Sequence, residues 1–361
     1  MFSKYWKSRA PILIALGMLL AITLPVLGNI KTLAQTPSAT FQCTEVELQK
    51  HIQQLDEGEP AAFDALVECN SQAVPVLIRT LGKTQNEEVR IIIIAALGEI
   101  GPQAAPAIPV LNELLQEPSR DVRIVLVHSL GQMGQEAVPA LIRALDDPDR
   151  GVRSNTAETI GKIGTEAKAA IPALTAALQD EDEDTTLNAA VAIFKVGGNP
   201  EDTIPVLIAN LQGNPCDWNF ELATQTLGEI GGKAVPALTT ALEDTNENIR
   251  LWSAHTLSQI GADAKDAVPE LTEVFLDSYE YTKVRYEAIQ ALENIASYEA
   301  ISVLDKYRET ADAILQEEKV VFICHTSRTN MVRLATTNHI KRQPVMCRIQ
   351  VIKSILGWKC S

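Results

Sequence analysis

The chain has 361 residues and a formal net charge of −15, with 46% hydrophobic and 5% aromatic residues. Most of the acidic charge lies in residues 36–318, which contain 19 Lys and Arg against 46 Asp and Glu. This balance disfavours nucleic acid and anionic lipid as partners, since both require basic surfaces, and it is compatible with a basic protein partner. A negative surface that serves only solubility is the alternative.

Residues 1–34 have the pattern of a secretory signal peptide. A basic start precedes an apolar run from Ile12 to Leu27, and Thr32-Leu33-Ala34 provides small residues for cleavage before Gln35. We therefore expect the rest of the chain to be exported to a periplasmic, secreted or lumenal location. Because the apolar run approaches the length of a membrane span, an uncleaved N-terminal membrane anchor is the alternative.

Residues 35–71 predict a divergent N-terminal capping hairpin. Thr44-Glu45-Val46-Glu47 matches a capping box at the start of one helix, and a second helix begins near Pro60. Cys43 and Cys69 bracket this hairpin. An oxidising compartment favours disulfides, and a terminal unit that lacks one neighbour gains most from a crosslink, so we predict a Cys43–Cys69 disulfide. Two buried free thiols are the alternative.

Residues 72–297 repeat one motif seven times, with a period of about 32 residues. Each copy begins with a proline that suits the first turn of a helix. Each copy then closes with a sequence like Leu-Gly-x-Ile-Gly, whose last glycine, such as Gly164, suits a left-handed helix end. Small residues such as Gly131 and Gly161 predict close contact between neighbouring hairpins. The prolines are Pro75, Pro109, Pro139, Pro172, Pro205, Pro236 and Pro269.

This pattern predicts an all-α fold, an α-solenoid of about seven to eight stacked helical hairpins, because no unit can bury its apolar face alone. Three motifs carry a family resemblance: Ala-Val-Pro-Ala-Leu at 137–141, Asp-x-x-Val-Arg at 149–153, and Leu-Gly-Glu-Ile-Gly from 97 and from 227. On these motifs the chain resembles the HEAT-like repeat family of the phycobilisome lyases, over about two thirds of its length. The resemblance specifies the fold rather than the function.

A Val-Arg or Ile-Arg pair recurs 14 to 16 residues after most of the prolines. The fourth repeat has Thr186-Leu187 there, and the fifth has no clear equivalent. We expect these arginines to line one edge as a ladder of structural ion pairs between adjacent units, and an acidic residue such as Glu88 or Asp121 often precedes them. A ligand-binding row is the alternative. The arginines are Arg90, Arg123, Arg153, Arg250 and Arg285.

Two aromatic groups lie beside breaks in the repeat pattern. Trp218 and Phe220 follow an insert that contains Cys216, and Tyr279 and Tyr281 form the second group. Exposed aromatic side chains are common at protein interfaces, so we predict that these four residues contact a partner. Local packing of an insertion is the alternative.

The C-terminal part divides in two. Residues 298–318 predict a final helical cap, whereas residues 319–361 carry eight Lys and Arg, no Asp or Glu, and no repeat signature. For this tail the sequence leaves three alternatives open: a basic strip folded onto the acidic solenoid, a membrane-surface anchor, or a segment that does not belong to the fold.

Catalytic and cofactor motifs are not found in the sequence. Lys83-Thr84 imitates the end of a phosphate loop, but Leu77 stands where the first glycine should be. The related deoxyhypusine hydroxylases, built from similar repeats, bind a di-iron centre through His-Glu pairs. No histidine here is followed by Glu, so that resemblance does not extend to the activity. We therefore expect no catalytic residues, metal or cofactor.

Two functions follow from the sequence. The preferred one is an exported, non-enzymatic scaffold that binds a protein partner, touching the membrane only through its N-terminal segment if that segment is uncleaved. The alternative, implied by the family resemblance, is a phycobilin lyase or lyase-like chaperone acting on phycobiliproteins. Such proteins are expected in the cytoplasm, which the signal segment contradicts.

Overall fold

A computed structural model describes residues 43–57, 59, 61–213 and 217–316. The predicted signal segment (1–34), the basic tail (319–361) and Cys216 lie outside these residues. Within the described part, all regular elements are α-helices and short 3₁₀ helices. The predicted all-α class is therefore confirmed.

The helices follow one another in pairs. The first pair is α1 (Glu45–Asp56) and α2 (Ala61–Glu68). The first helices of the seven repeats are α3 (Val74–Leu81), α5 (Ile108–Glu113), α7 (Val138–Ala144), α9 (Ile171–Ala177), α11 (Ile204–Ala209), α13 (Val235–Ala241) and α15 (Val268–Leu276). The second helices are α4 (Glu87–Ile100), α6 (Arg120–Met133), α8 (Arg150–Ile163), α10 (Glu183–Lys195), α12 (Trp218–Ile230), α14 (Glu247–Ile260) and α16 (Thr282–Ile295). Helix α17 (Tyr298–Lys306) and a helical stretch at 308–316 end the described part.

Local sequence explains where the helices begin. Each repeat proline lies in the first turn of its helix, where its missing N–H costs no hydrogen bond. Polar N-caps start most second helices; in α8 the Asp149 carboxylate accepts a hydrogen bond from the Val152 N–H at 3.2 Å. At α1 the hydroxyl of Thr44 accepts a hydrogen bond from the Glu47 N–H at 3.4 Å, which is one of the two bonds of the predicted capping box.

The second helices end differently from the expected left-handed cap. Gly164 has φ 72° and ψ −144°, which lies outside the left-handed helical region and in backbone space that essentially only glycine occupies. In the seventh repeat Ala296 takes the equivalent place with φ 51° and ψ 25°, a true left-handed cap that alanine tolerates. Glycine at these ends is therefore required by the backbone more strictly than a left-handed cap would require.

The core is built from the same position in every unit. The leucine two residues after each repeat proline is fully buried in all seven copies: Leu77, Leu111, Leu141, Leu174, Leu207, Leu238 and Leu271. The first apolar residue of each closing motif, such as Leu97 or Ile160, is buried as well. Each hairpin thus covers its apolar face with the next hairpin, which is the α-solenoid that the repeat period predicts.

The buried side chains form two clusters rather than one. The first contains residues from Leu48 to Val196, and the second contains residues from Leu187 to Ile314. Helix α10 contributes to both, with Ala189 and Ala192 in the first cluster and Ala190 in the second. The fourth repeat is therefore the place where the core divides.

One stretch of the described residues, Glu87–Gln116, has the length and the mean hydropathy (1.6) of a membrane span. Half of its most apolar 18-residue window is buried inside the protein. It is also not one straight helix, because the chain bends at Gly101, where φ is 72°.

Neighbouring second helices approach closely at glycines. A β-carbon placed on Gly98 of α4 would lie 2.8 Å from the backbone Cα of Ser129 in α6. A β-carbon on Gly131 would instead meet the methyl group of Thr159, at 2.2 Å. One on Gly161 would lie 3.2 Å from Ala192 Cα. The close contacts expected at Gly131 and Gly161 are present, and the contact at Gly98 has the least room to adjust because it involves backbone.

We predict that Gly98→Ala lowers the free energy of unfolding by about 1–3 kcal/mol, because α4 and α6 must move apart. The matched variant Gly131→Ala should change it by less than about 1 kcal/mol, since a side-chain rotation can relieve the contact and alanine favours a helix. Urea unfolding followed by circular dichroism measures both. Equal losses in the two variants would contradict the assignment.

Candidate functional site

The repeat arginines occupy one defined place, which we call the ladder position: the fourth residue after the N-cap of each second helix. For example, Ser119 is the N-cap of α6 and Arg123 is its ladder residue. In chain order the ladder residues of the seven repeats are Arg90, Arg123, Arg153, Thr186, Glu221, Arg250 and Arg285. The shared register means that every ladder side chain leaves its helix in the same direction.

Three of these arginines bind a carboxylate of the following unit through two hydrogen bonds. Arg123 donates to Asp147 at 2.7 and 3.0 Å, and Arg153 donates to Asp180 at 2.7 and 2.8 Å. Arg250 donates to Glu280 at 2.6 and 2.8 Å. The acceptors lie in the turn between the two helices of the next unit, one or two residues before the N-cap of its second helix. We call this the acceptor position. Glu88 and Asp121, which closely precede arginines in the sequence, are not these acceptors.

Each arginine also binds the turn of its own unit. Nη1 of Arg123 donates to the carbonyl of Glu117 at 2.7 Å, and Nη1 of Arg153 donates to that of Asp147 at 3.0 Å. Nη1 of Arg250 donates to the carbonyl of Asp244 at 2.7 Å. One guanidinium group therefore holds two consecutive turns together, which uses the planar geometry that distinguishes Arg from Lys.

The hydrogen bonds within these mostly buried pairs shift the pKa values of several of their side chains. The side chains of Arg123 and Asp147 are only 10% and 4% exposed. The hydrogen bond to Asp147 raises the pKa of Arg123 above its ordinary value, against the opposing effect of burial. The hydrogen bond from Arg153 lowers the pKa of Asp180 below 3.8. Burial is the largest single effect on Glu280 and acts to raise its pKa, but the hydrogen bonds from Arg250 and from the Tyr281 N–H, together with the charge of Arg250, lower the pKa below its ordinary value.

The two ends of the ladder differ from its middle. Arg90 forms a single ion pair with Glu117, at 2.8 Å. Arg285 donates to the carbonyl of Phe275 in its own unit at 3.0 Å, and no ion pair of Arg285 is present among the described residues. Four of the five arginines therefore form structural ion pairs, whereas Arg285 is bound through a backbone carbonyl.

The ladder is interrupted at the fourth and fifth repeats. The hydroxyl of Thr186 donates to the carbonyl of Glu183 in its own helix and so does not reach the next unit. Glu221, exposed, has the charge opposite to that of an arginine. The next acceptor position holds Asp244, which forms no ion pair within the described residues and accepts one hydrogen bond, from the Asn246 N–H at 2.7 Å. A carboxylate is thus left without its guanidinium group.

Trp218 lies at this interruption, and Phe220 does not belong to the surface. Trp218 is 52% exposed, whereas Phe220 is 6% exposed and packs against the ring of Trp252 at a centroid distance of 4.7 Å. The exposure that the partner prediction assumed for Phe220 is therefore wrong, because Phe220 belongs to the core. Phe220 is the third residue after its N-cap, the position of the buried Val122 and other core residues. Phe220-Glu221 is thus the fifth repeat's equivalent of the Val-Arg pair.

The second aromatic group lies beside an acidic groove. Tyr279 is 96% exposed and Tyr281 is 60% exposed. A groove of about 430 Å³ between the sixth and seventh repeats is lined by Asp244, Arg250, Glu270, Glu273, Tyr279 and Glu280, among others. Oxygen Oε2 of Glu270 is buried there without a hydrogen-bond partner. The groove therefore carries an excess of negative charge next to an exposed aromatic ring.

The remaining candidate residues are structural. Cys43 and Cys69 are joined in a disulfide, with their Cα atoms 5.5 Å apart, and it links the segment before α1 to the end of α2. Within the described residues, no group of three or more His, Cys, Asp or Glu side chains is arranged to hold a metal ion.

The acceptor residues Asp147, Asp180, Glu280 and Asp244 were not predicted as site residues. Their sequence signal is an acidic residue one or two positions before the N-cap of a second helix. This signal is visible only after the N-caps are assigned.

We predict that Arg153→Met lowers the free energy of unfolding at pH 7 by about 3 kcal/mol, because it leaves the mostly buried Asp180 without its partner. The folded-state pKa of Asp180 lies below 3.8, so the pair contributes fully above that pH. Its contribution is lost as the pH falls further. The difference in unfolding free energy between wild type and variant should therefore become smaller below about pH 4. Urea unfolding at a series of pH values measures it.

Arg150→Met is the matched control, since Arg150 is 79% exposed and meets Asp182 at 3.5 Å. It should cost less than about 1 kcal/mol at any pH. A loss as large as that of Arg153→Met would show that burial does not determine the strength of these pairs.

Several known proteins are similar to this chain. A deoxyhypusine hydroxylase of Neurospora crassa is 34% identical over 99 residues, which is 27% of this chain and 30% of the hydroxylase. This chain therefore matches less than a third of that relative's length. The human deoxyhypusine hydroxylase structure is 23% identical with a TM-score of 0.33, covering 68% of this chain and 96% of that one. The CpcE–CpcF phycocyanin lyase complex of Nostoc sp. PCC7120 is 21% identical with a TM-score of 0.36, covering 80% and 100%.

The family model for HEAT repeats matches residues 60–123, 108–195 and 204–293, which together make up more than half of the chain. These ranges contain the ladder arginines and the buried leucines of all seven repeats. HEAT-repeat folds generally mediate protein interactions. The chain therefore belongs to the HEAT-repeat family.

Proposed function

We propose that this chain is an exported, non-enzymatic HEAT-repeat scaffold that binds a protein partner at the interruption of its arginine ladder. The observation that carries the proposal is the half-exposed Trp218 beside Glu221, in a place where other repeats hold ion-paired arginines. Tryptophan is enriched among the residues that dominate binding energy in protein interfaces. An exposed tryptophan at a break in a regular edge is therefore a reasonable anchor for a partner.

The intact parts of the ladder support this choice by contrast. In the second and third repeats the corresponding residues are Arg120 and Arg150, and these pair with Asp149 and Asp182 of the next unit. At those edges the charged side chains are paired within the protein. At the fifth repeat, Trp218 and Glu221 replace both arginines, so the side chains at this edge are available to another molecule.

Two features support export. Residues 1–34 have the pattern of a secretory signal, and the disulfide between Cys43 and Cys69 is of a kind that persists in oxidising compartments. A disulfide in a terminal hairpin would stabilise the unit that has a neighbour on one side only. The proposed location is therefore the periplasm, the lumen or the medium, with an uncleaved membrane anchor as the alternative.

The intact mass of the native protein in periplasmic, membrane and cytoplasmic fractions of its host tests export. We expect a chain beginning near Gln35 in the exported fraction, with Cys43 and Cys69 protected from alkylation. A membrane-bound chain beginning at Met1 would indicate an anchored scaffold. A cytoplasmic chain with free thiols would contradict export and favour the competing function, a phycobilin lyase or chaperone.

The partner-binding edge is tested by two aromatic variants with opposite expectations. Trp218→Ala should leave the melting temperature nearly unchanged and reduce the amount of one specific protein that copurifies with the chain, because Trp218 is half exposed. Phe220→Ala should lower the unfolding free energy by about 3–5 kcal/mol, because Phe220 is buried. Thermal melts and quantitative mass spectrometry of the copurified proteins measure both effects. If Trp218→Ala retains every copurified protein, this edge is not the binding site.

A further inference from the structure

Asp244 stands where other units bind a guanidinium group. It occupies the acceptor position of the sixth repeat, as Asp147 and Asp180 do in the third and fourth. Those two carboxylates each receive a pair of hydrogen bonds from an arginine of the preceding unit. Within the described residues, Asp244 has no ion-pair partner, although its position is the same. The same structure thus shows, in neighbouring repeats, what this carboxylate is placed to bind.

The residue at the ladder position opposite Asp244 is Glu221. Glu221 occupies the position on α12 from which an arginine reaches the next turn in other units, and that turn contains Asp244. A carboxylate therefore stands at each end of a place that holds an ion pair elsewhere. Trp218 lies three residues before Glu221 and therefore on the same helix face. The two units remain packed at this edge, since the Asn248 side chain donates to the carbonyl of Gln212 at 3.3 Å. The missing ion pair is therefore a local feature, and the two units are not separated there.

We propose that the surface formed by Trp218, Glu221 and Asp244 receives an arginine side chain of the protein partner. The inference rests on the proposed function and specifies the chemistry of the partner. The guanidinium group would pair with the two carboxylates and stack on the exposed indole ring. Both contacts are favourable for a cation, and together they would restore the missing member of the ladder from outside the chain.

Arginine fits this place better than lysine for a geometric reason. In the intact ladder, the guanidinium group bonds both carboxylate oxygens at once, through Nε and Nη2, as Arg123 does with Asp147. An ammonium group is a point charge and cannot reproduce this planar fork. Arginine also stacks on aromatic rings more often than lysine does. The acidic groove beside Asp244 adds a general attraction for cations, which does not distinguish the two residues.

The test uses the full 361-residue chain and three labelled peptides. The peptides are identical except at two positions, which hold arginine in the first peptide, lysine in the second and citrulline in the third. Citrulline keeps the shape of arginine without its charge. Fluorescence anisotropy in moderate salt measures binding. We expect the arginine peptide to bind about tenfold more tightly than the lysine peptide, and the citrulline peptide to bind least.

Glu221→Arg should weaken binding of the arginine peptide by at least about tenfold and raise the melting temperature, because the new arginine would pair with Asp244 as Arg123 pairs with Asp147. The matched control is Glu229→Arg, which makes the same charge change at an exposed position of the same helix. It should weaken binding less than about twofold, since exposed charges at that distance are largely screened.

Several outcomes would overturn the inference. Equal binding of the arginine and lysine peptides, no binding of either to the wild type, or equal effects of Glu221→Arg and Glu229→Arg would each do so. If Glu221→Arg keeps the host protein that Trp218→Ala loses, the arginine assignment is wrong and the scaffold function stands. If neither variant loses a host protein, the proposed binding edge is wrong as well.

Discussion

The register of the stacked hairpins is set, where the ladder is intact, by one interaction: a guanidinium group that bridges two consecutive turns. Arg153 binds the carbonyl of Asp147 in its own unit and both carboxylate oxygens of Asp180 in the next. Burying two charges is costly unless each is paired and hydrogen-bonded, and here both conditions are met. Because the bridge requires one particular offset between neighbouring hairpins, it determines their register as well as contributing to their stability. Apolar burial holds the hairpins together but is much less selective about offset.

The interruption of the ladder coincides with a division of the core. Helix α10 gives side chains to both hydrophobic clusters, and its ladder residue, Thr186, bonds only within its own helix. Between the fourth and fifth repeats a hydrogen bond from Asn219 to Asp184, at 2.7 Å, spans the exposed edge. In repeat proteins each unit is stabilised mainly by its neighbours, so a weaker interface at one place lowers the local cost of opening there. The proposed partner edge at Trp218 and Glu221 therefore borders the least tightly joined part of the stack.

The repeat period was sufficient to predict the helices, because a proline lies in the first turn of the first helix in every unit and a glycine follows the second helix in six of the seven units. It also located the arginines, whose spacing follows the same period. It did not identify their partners, since the pairing of Arg123 with Asp147 depends on how one hairpin is placed on the next. It also misplaced Phe220, because the fifth repeat has no Val-Arg pair and its register became clear only from the N-cap at Asp217. The conformation of Gly164 was likewise outside what a closing motif can indicate.

These errors share a physical cause. A periodic sequence specifies which residues are equivalent, whereas contacts between units depend on three-dimensional offset, and burial depends on both. Where the repeat pattern is interrupted, equivalent residues can be identified only from the ends of the helices. The residues that we propose to bind a partner lie in that region, as expected when a scaffold gives up a structural contact in order to bind another molecule.

Hydrogen exchange of the backbone amides, resolved along the whole stack, tests the central account most directly. If the arginine bridges hold the units in register, the second helices α6 and α8 should exchange slowly, and amides of α10, α11 and α12 should exchange fastest among the inner repeats. Arg153→Met should then extend the fast region toward α8. Uniform protection across the seven repeats, or fastest exchange between α6 and α8 in the wild type, would contradict the claim that the ladder and its interruption organise this protein.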